Sequence, residues 1–253
     1  MGIRKNRLEA PSNTHSPGKQ INIQQYNNIF MKQTLIFFVG IVLFSSNTIS
    51  SKAQEYIGKP FEDSVYKGGA QVIPGRINCA YYDFGGEGVA YHDTDKVNHG
   101  SGELNPLNGT YLHVFRIAEG VDISYTKSNN DSDNSSYNMV IPPMNAHYAG
   151  WTEPGEWIKY TVNVKKAGKY KVSIMYTSNK GGKISLSIND KDVTGPIAIK
   201  STFHKDDPID WRQWHHWNEM KNIAEIELQE GVQVLTLHTV EEGQMNYMWI
   251  DFY

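Results

Sequence analysis

The chain has a single cysteine, Cys79, among its 253 residues, so no intramolecular disulfide can form. A lone cysteine of this kind is typically a small buried side chain in a strand. An excess of one charge is also missing, because 24 basic residues stand against 27 acidic ones and the formal net charge is −3. No global field draws the chain towards nucleic acid or an anionic membrane, and we expect neither as a partner.

Apolar runs long enough to span a membrane are not evident. The segment "LIFFVGIVLF" at 35–44 has ten residues, about half of what a spanning helix needs. It follows Met31 and Lys32 and precedes a Ser/Thr-rich region that ends in small residues, which is the layout of an export signal. We therefore predict a signal peptide at 31–53, preceded by an extension at 1–30 with Met31 as the true start, no membrane span, and a secreted or periplasmic protein.

Sequence signatures of several enzyme classes are lacking too. There is no G-x-S-x-G elbow, P-loop or dinucleotide fingerprint, so acyl, phosphoryl and hydride transfer have no support. His215 and His216 are adjacent, and on the strand that we expect there, neighbouring side chains point to opposite faces and cannot meet one zinc ion. "HDTD" at 92–95 lacks the register of an EF-hand calcium loop.

Acidic groups are nevertheless concentrated in the glycine-rich stretch "GGEGVAYHDTD" at 85–95, which holds Glu87, Asp93 and Asp95, and two more, Glu153 and Glu156, occur in "GWTEPGEW". A glycosidase needs two carboxylates about 5 to 9.5 Å apart on either side of the bond. The spacing here singles out no acid with a partner. We interpret the stretch as the polar wall of a binding loop and keep a small jelly-roll glycoside hydrolase or lyase as the alternative.

Apolar alternation of period two dominates from Trp157 onward. "WIKYTVNV" and the run from Tyr170 to Tyr176 predict two strands, which we expect to form a hairpin. Further short strands follow, with turns between them and no amphipathic helix of useful length, which predicts an all-β, antiparallel β-sandwich of the jelly-roll type. The Asn/Ser-rich region 96–147 predicts long loops around one short strand, and such loops commonly carry binding groups.

Tryptophan is confined to the second half of the chain. In "DWRQWHHW" three of the six tryptophans occur at a spacing of three, which does not fit one face of a strand, so at least one should lie outside the core. An exposed aromatic ring matches the apolar C–H face of a sugar. Covering about 100 Å² of that face at about 25 cal/mol per Å² gives roughly 2.5 kcal/mol before ordering costs, which suits weak, reversible sugar binding.

A set of motifs resembles one known family. "IPGRI", "YYDFGGEGVAYHDTD", "GVDI", "AGWTEPGEWIKYTVNVKKAGKYKVSIMYTSNKGG", "WRQW" and "MNYMWIDF" look like carbohydrate-binding module family 6, whose modules are galactose-binding-like β-sandwiches that accompany secreted polysaccharide-degrading enzymes. The resemblance covers 73–253 and implies that this range is the binding domain. The segment 54–72 is then an N-terminal extended segment.

The resemblance also implies a ligand site in the loops at one end of the sandwich. An aromatic pair that grips one sugar falls on Tyr91 and Trp211, and a hydrogen-bonding asparagine falls on Asn246. Glu87 and Asp93 would lie beside this cleft as acceptors for sugar hydroxyls. Trp214 is assigned to a strand.

Finally, the resemblance implies a structural calcium held by two acidic residues of the first strand and an aspartate of the last. Asn78 and Ala80 stand where the family pattern has glutamates, and only Asp251 is retained. Because Ca²⁺ prefers charged oxygen ligands, this loss should weaken the calcium site severely.

These observations together predict a secreted, non-catalytic protein that binds a plant or algal polysaccharide of the β-glucan or xylan type. We expect its partners to be polysaccharides or oligosaccharides, with separately encoded glycoside hydrolases acting beside it. Besides the hydrolase alternative, a structural or adhesive surface protein with a vestigial site stays open.

Overall fold

The computed structural model describes residues 55–253, so the extension and signal peptide expected at 1–30 and 31–53 lie outside the described residues. None of the helices in the described part has the length and apolar character needed to cross a bilayer. The strands are β1 Gln71–Ile73, β2 Gly75–Asn78, β3 Tyr91–His92, β4 Ile123–Tyr125, β5 His147–Ala149, β6 Trp157–Val164, β7 Gly168–Ser178, β8 Gly182–Ile188, β9 Lys191–Asp192, β10 Ile197–Ile199, β11 Asn218–Leu228, β12 Gly231–Glu241 and β13 Met245–Phe252; the helices are α1 Tyr111–Val114 and two 3-10 helices, Asn129–Asp131 and Asp210–Trp214.

The strands form two facing sheets. The first sheet has the order β1-β6-β12-β8-β10, with β3 beside β6 and β9 beside β8. The second sheet has the order β11-β7-β13-β5-β4, and β2 also pairs with β13. The pairings are antiparallel apart from that of β1 with β6. The predicted all-β sandwich is confirmed.

The predicted alternation explains which side chains fill the space between the sheets. On β6 the buried residues Ile158, Tyr160, Val162 and Val164 face the core. The corresponding apolar set on β7 and β13 packs against them from the second sheet. Because successive side chains of a strand point to opposite faces, the period of two in the sequence places one whole row of each strand inside.

The predicted hairpin between β6 and β7 is wrong. β6 pairs with β1, β3 and β12 in the first sheet, whereas β7 pairs with β11 and β13 in the second. The turn at 165–167 carries the chain from one sheet to the other. The two apolar rows therefore face each other across the core, as in sandwich packing, and the strands do not share an edge.

The region 96–147 contains the expected short strand, β4, and much of the rest is irregular. Its last part packs on the outer face of the second sheet. There a small separate cluster of buried side chains, joined by Val140 and Ala146, consists of Tyr148, Met175, Trp217, Met248 and Trp249. This region thus buries a face of the sandwich that strand alternation alone would leave exposed.

Candidate functional site

One end of the sandwich carries a cavity of about 300 Å³, here called the acidic cavity, which lies where loops from both sheets meet. The loops after β3 and before β4, the β5–β6 connection and the β12–β13 turn all contribute to it. Five carboxylates line it, and neither lysine nor arginine does. The full lining is Asp93, Thr94, Asp95, His99, Asp122, Trp151, Glu153, Glu156 and Gln244.

Trp151 is the aromatic wall of the acidic cavity. Its backbone has a φ of +51°, which lies in the left-handed region, and its side chain is partly exposed. Its backbone N–H donates to Oδ1 of Asn246 at 3.2 Å. Gly150 permits this approach, because a Cβ at that position would overlap Asn246 Oδ1. The backbone geometry thus takes Trp151 out of strand alternation and turns its ring towards the cavity.

Asn246 is buried and ties this loop to a second aromatic segment. Its Nδ2 donates to Thr177 Oγ1 and to the backbone carbonyl of Trp214, each at 2.9 Å. Trp214 ends the 3-10 helix that also carries Trp211, whose side chain is 49% exposed. Both amide hydrogens are used within the protein, so Asn246 positions the segments of Trp151 and Trp211 relative to each other.

A buried ion pair fixes the 3-10 helix that presents Trp211. Arg212 donates from Nε to Asp207 Oδ2 at 2.7 Å and from Nη2 to Asp207 Oδ1 at 2.8 Å. His216 Nε2 lies 2.8 Å from Asp207 Oδ2. The charged hydrogen bond from Arg212 holds the pKa of Asp207 well below its usual range. Such a bidentate pair restrains the backbone around Trp211.

The carboxylates of the acidic cavity are unequal. Glu156 is buried and accepts three hydrogen bonds, from Thr94 N at 3.1 Å, Thr94 Oγ1 at 2.7 Å and Glu153 N at 2.7 Å. Burial, reinforced by the charge of Glu156, raises the pKa of Asp93 to about 7. Burial likewise raises the pKa of Asp122 to about 6, although it accepts a hydrogen bond from His99 N at 2.6 Å.

This arrangement offers one ring face and several oxygen acceptors in a space that fits a small ring. Ionised carboxylates accept hydrogen bonds only, and sugar hydroxyls are matching donors. A protonated Asp93 adds a donor. The site therefore suits a neutral polyhydroxylated ligand, and its excess of carboxylates over one histidine, His99, opposes an anionic one.

Of the acceptors expected from the sequence, Asp93 lines the acidic cavity and Glu87 stands beside it. Glu87 binds the backbone N–H of Asp93 at 3.0 Å, and its Oε1 lies 2.5 Å from His92 Nδ1. It orients the loop from outside. Trp211 is exposed on its 3-10 helix, as a stacking ring must be.

The structure corrects the expectation for Tyr91. Its side chain is only 5% exposed, packs edge-on against Tyr82 at 5.6 Å and accepts a hydrogen bond from Gly120 N at 2.9 Å. Tyr91 pairs with Ile158 in the first sheet, and alternation turns its side chain inward while His92 points out. A buried ring has no free face for a sugar, so Tyr91 supports the loop from within the core.

Two further local expectations differ from the structure. Trp214 lies in the 3-10 helix, and His215 and His216 follow that helix instead of lying on a strand. The histidine side chains do diverge, since His215 Nδ1 is 3.0 Å from Asp133 while His216 reaches Asp207. They therefore serve two separate buried networks.

Sequence reasoning missed Trp151 and Asp122, and it considered Glu156 only as a candidate carboxylate for hydrolysis. Trp151 had a signal, because in "GWTEPGEW" it stands between a glycine and a Pro-Gly turn, outside the alternation that begins at Trp157. Asp122 had no such signal, and no spacing linked Glu156 to the binding loop. Their role depends on loops that are distant in sequence and meet only in the fold.

The residues expected to hold calcium do not fit a metal ion. Asp251 and Asn78 lie on β13 and β2 of the second sheet, on a surface apart from the lining of the acidic cavity. Both carboxylate oxygens of Asp251 accept hydrogen bonds from Arg76, each at 2.9 Å. Across residues 55–253, no three side chains of His, Cys, Asp or Glu converge as a metal-binding group.

Comparison with known families identifies the C-terminal half of the chain. Residues 130–253 match the model of the family described as carbohydrate binding module (family 6). The resemblance predicted from the motifs is confirmed for this range, which contains a domain similar to those of family 6. Among curated proteins, none matches the chain significantly.

Similar solved structures include three carbohydrate-binding modules. A β-1,3-glucan-binding family 6 module from Bacillus halodurans is 14% identical, with a TM-score of 0.42 and coverage of 72% of this chain and 98% of that chain. A module from Clostridium stercorarium, solved with cellobiose, is 15% identical, with a TM-score of 0.43 and coverage of 73% and 97%. A module of a Cellvibrio mixtus lichenase, solved with cellotriose, is 19% identical, with a TM-score of 0.36 and coverage of 52% and 85%.

Proposed function

We propose that this chain, which contains a domain of the family 6 carbohydrate-binding type, is a non-catalytic protein that binds a neutral polysaccharide of the β-glucan or xylan type in the acidic cavity. The observation that carries the proposal is the partly exposed Trp151 in a cavity of about 300 Å³ otherwise lined by hydroxyl acceptors. The motif resemblance and the family match at 130–253 support the same class of ligand.

Two indoles, the partly exposed Trp151 and the exposed Trp211, supply most of the affinity in this proposal. Trp151 contacts one sugar at the cavity, and Trp211, on the segment tethered to it through Asn246, stacks against the same sugar or its neighbour. Burial of about 100 Å² per sugar face at about 25 cal/mol per Å² contributes roughly 2.5 kcal/mol per ring before ordering costs. Binding is therefore weak and reversible for one sugar and stronger along a chain.

The carboxylates select against acidic polysaccharides. A uronate or sulfate group about 6 Å from one ionised carboxylate costs about 0.7 kcal/mol even in a water-like dielectric, and more in the partly buried cavity. Five carboxylates surround this space and no arginine or lysine lines it to offset them. Neutral glycans avoid this cost and donate their hydroxyl hydrogens instead.

Affinity gel electrophoresis tests the proposal. A soluble β-glucan or xylan should retard the wild type, and polygalacturonate should not. Trp151→Ala and Trp211→Ala should each weaken binding by about 10-fold to 50-fold, because each loses one stacking face. Tyr253→Ala is the matched control, since Tyr253 is an exposed aromatic on the second sheet. Normal retardation of both tryptophan variants, or retardation by polygalacturonate alone, would refute the proposal.

A glycoside hydrolase is the second candidate, and one observation favours it. Asp93 has a pKa of about 7, and a general acid needs a carboxyl that is protonated near neutral pH. Assays of reducing ends on the same polysaccharides separate the two functions. We expect no turnover, and turnover that Asp93→Asn or Glu87→Gln abolishes would replace the binding-module proposal with the hydrolase.

We further propose that the protein works outside the cytoplasm, beside separately encoded glycoside hydrolases. The export signal expected at 31–53 and the class of the family match support this setting. Cell fractionation with an antibody against the protein checks it, because a purely cytoplasmic signal would contradict it. If no glycan retards the wild type, the structural or adhesive alternative takes the place of glycan binding.

A further inference from the structure

The junction of β2 and β13 is where the family pattern expects a calcium ion, and the structure places an arginine there. Arg76 of β2 lies directly opposite Asp251 of β13 in the strand pairing. Nε donates to Oδ1 and Nη2 donates to Oδ2, each over 2.9 Å. Both oxygens that a divalent cation would need are therefore already bound to a positive charge.

A ring holds the same guanidinium from a second side. The Arg76 Cζ atom lies 3.5 Å from the centroid of the Trp249 ring. Trp249 stands two residues before Asp251 and is paired with Asn78, two residues after Arg76, so all four side chains share one face of the sheet. The arrangement combines a bidentate ion pair with a cation–π contact, and both favour arginine over lysine.

The other residues at the expected calcium positions offer no carboxylate to a metal ion. Ala80 is buried and has no oxygen ligand in its side chain. The backbone of Asn78 is engaged by Gln71, whose Oε1 accepts from Asn78 N at 2.7 Å and whose Nε2 donates to Asn78 O at 3.3 Å. Within residues 55–253, Asp251 belongs to no group of three side chains that could hold a metal ion, and Arg76 would repel a divalent cation.

We propose that Arg76, held by Asp251 and Trp249, is a built-in cation that joins β2 to β13 in place of a divalent metal ion, so that the fold does not depend on calcium. An arginine stays charged at all accessible pH values and is covalently part of the chain. Chelators and changes in external calcium therefore leave the junction intact.

Thermal unfolding in excess EDTA and in excess CaCl₂ tests the proposal, with Asp251→Asn as the reference variant. We expect the calcium-induced change in Tm to be the same in the wild type and in Asp251→Asn. Any effect of calcium bound in the acidic cavity is the same in both proteins and cancels in this comparison, because that cavity does not include Asp251. A stabilisation by calcium that Asp251→Asn removes would overturn the proposal.

A second measurement addresses the arginine itself. Arg76→Met should lower Tm by about 3 °C and Arg76→Lys by part of that, because lysine keeps the charge but loses the bidentate geometry. Lys169→Met is the matched control. It breaks an exposed cross-strand pair with Glu225 at 3.3 Å in the same sheet and should shift Tm by less than about 1 °C. A Tm of Arg76→Met equal to that of the wild type would also overturn the proposal.

Discussion

Replacing Asp93 with asparagine tests the electrostatics of the acidic cavity most directly. Burial and the charges of Glu156, Asp122 and Glu87 raise the pKa of Asp93 from 3.8 to about 7. Asparagine has nearly the same shape and keeps an oxygen for the hydrogen bond from Asp95 N, which is 2.9 Å long. The substitution therefore removes a charge with little change in packing.

The sign and size of the effect follow from linkage between protonation and folding. Below about pH 4, Asp93 is protonated in both the folded and unfolded states, so its burial does not lower the stability of the wild type. As pH rises to about 7, the unfolded state releases the proton while the folded state retains it, so stability falls. A shift of about three pH units corresponds to at most about 4 kcal/mol, and solvent at the cavity mouth reduces this to about 1 to 2 kcal/mol.

Thermal unfolding followed by circular dichroism measures the difference. At about pH 8, Asp93→Asn should unfold about 3 to 6 °C above the wild type, and at about pH 4 the two should coincide. Asp95→Asn is a control with the opposite sign, because the hydrogen bond from His99, followed by that from Val97 N, lowers the pKa of Asp95. If the Tm difference between Asp93→Asn and the wild type does not change with pH, the pKa of Asp93 is not raised by burial and nearby charges.

Two further variants distinguish residues that support the site from residues that contact the glycan. Tyr91→Phe should lower the free energy of unfolding by about 1 kcal/mol, because it loses the hydrogen bond from Gly120 N, and denaturant titration measures this loss. Its glycan affinity in affinity electrophoresis should stay within about twofold of the wild type, and a loss of affinity without a loss of stability would show that Tyr91 contacts the glycan. Gly150→Ala should displace Asn246, because the added Cβ would overlap Asn246 Oδ1. It should reduce glycan affinity more than about 10-fold and weaken the quenching of Trp151 fluorescence by the ligand. Unchanged binding would contradict the role of Asn246 in positioning Trp151.

Strand positions were predictable from the sequence because they depend on local alternation. The buried row of β6 matches the apolar positions of "WIKYTVNV". The partner of β6 was not predictable in the same way, since a three-residue turn can either pair two strands or pass the chain to the facing sheet. Long-range pairing with β12 decides the outcome, and no local pattern reports it.

For the aromatic residues too, local sequence pattern predicted some positions and failed where strand pairing decides the outcome. Three tryptophans at a spacing that no strand face can hold predicted that at least one of them would lie outside the core, and Trp211 is exposed. The resemblance assigned Tyr91 to an aromatic pair in the loops, whereas Tyr91 and His92 form the short strand β3, which pairs with β6. Because neighbouring side chains of a strand point to opposite faces, one of these two points inward and the other outward, and the inward one is Tyr91.

The character of the carboxylates depends on the assembled fold and not on their spacing along the chain. Asp93 and Glu156 are 63 positions apart in the sequence, yet their charges interact strongly enough to alter protonation. Glu156 stays in place because Thr94, the neighbour of Asp93, donates to it through both its N–H and its hydroxyl. A ligand hydroxyl that enters this space meets acceptors already fixed by hydrogen bonds within the protein, so little ordering cost falls on binding. Burial, reinforced by the charge of Glu156, keeps the pKa of Asp93 at about 7, and glycan affinity should therefore depend on pH around neutrality even though the ligand is neutral.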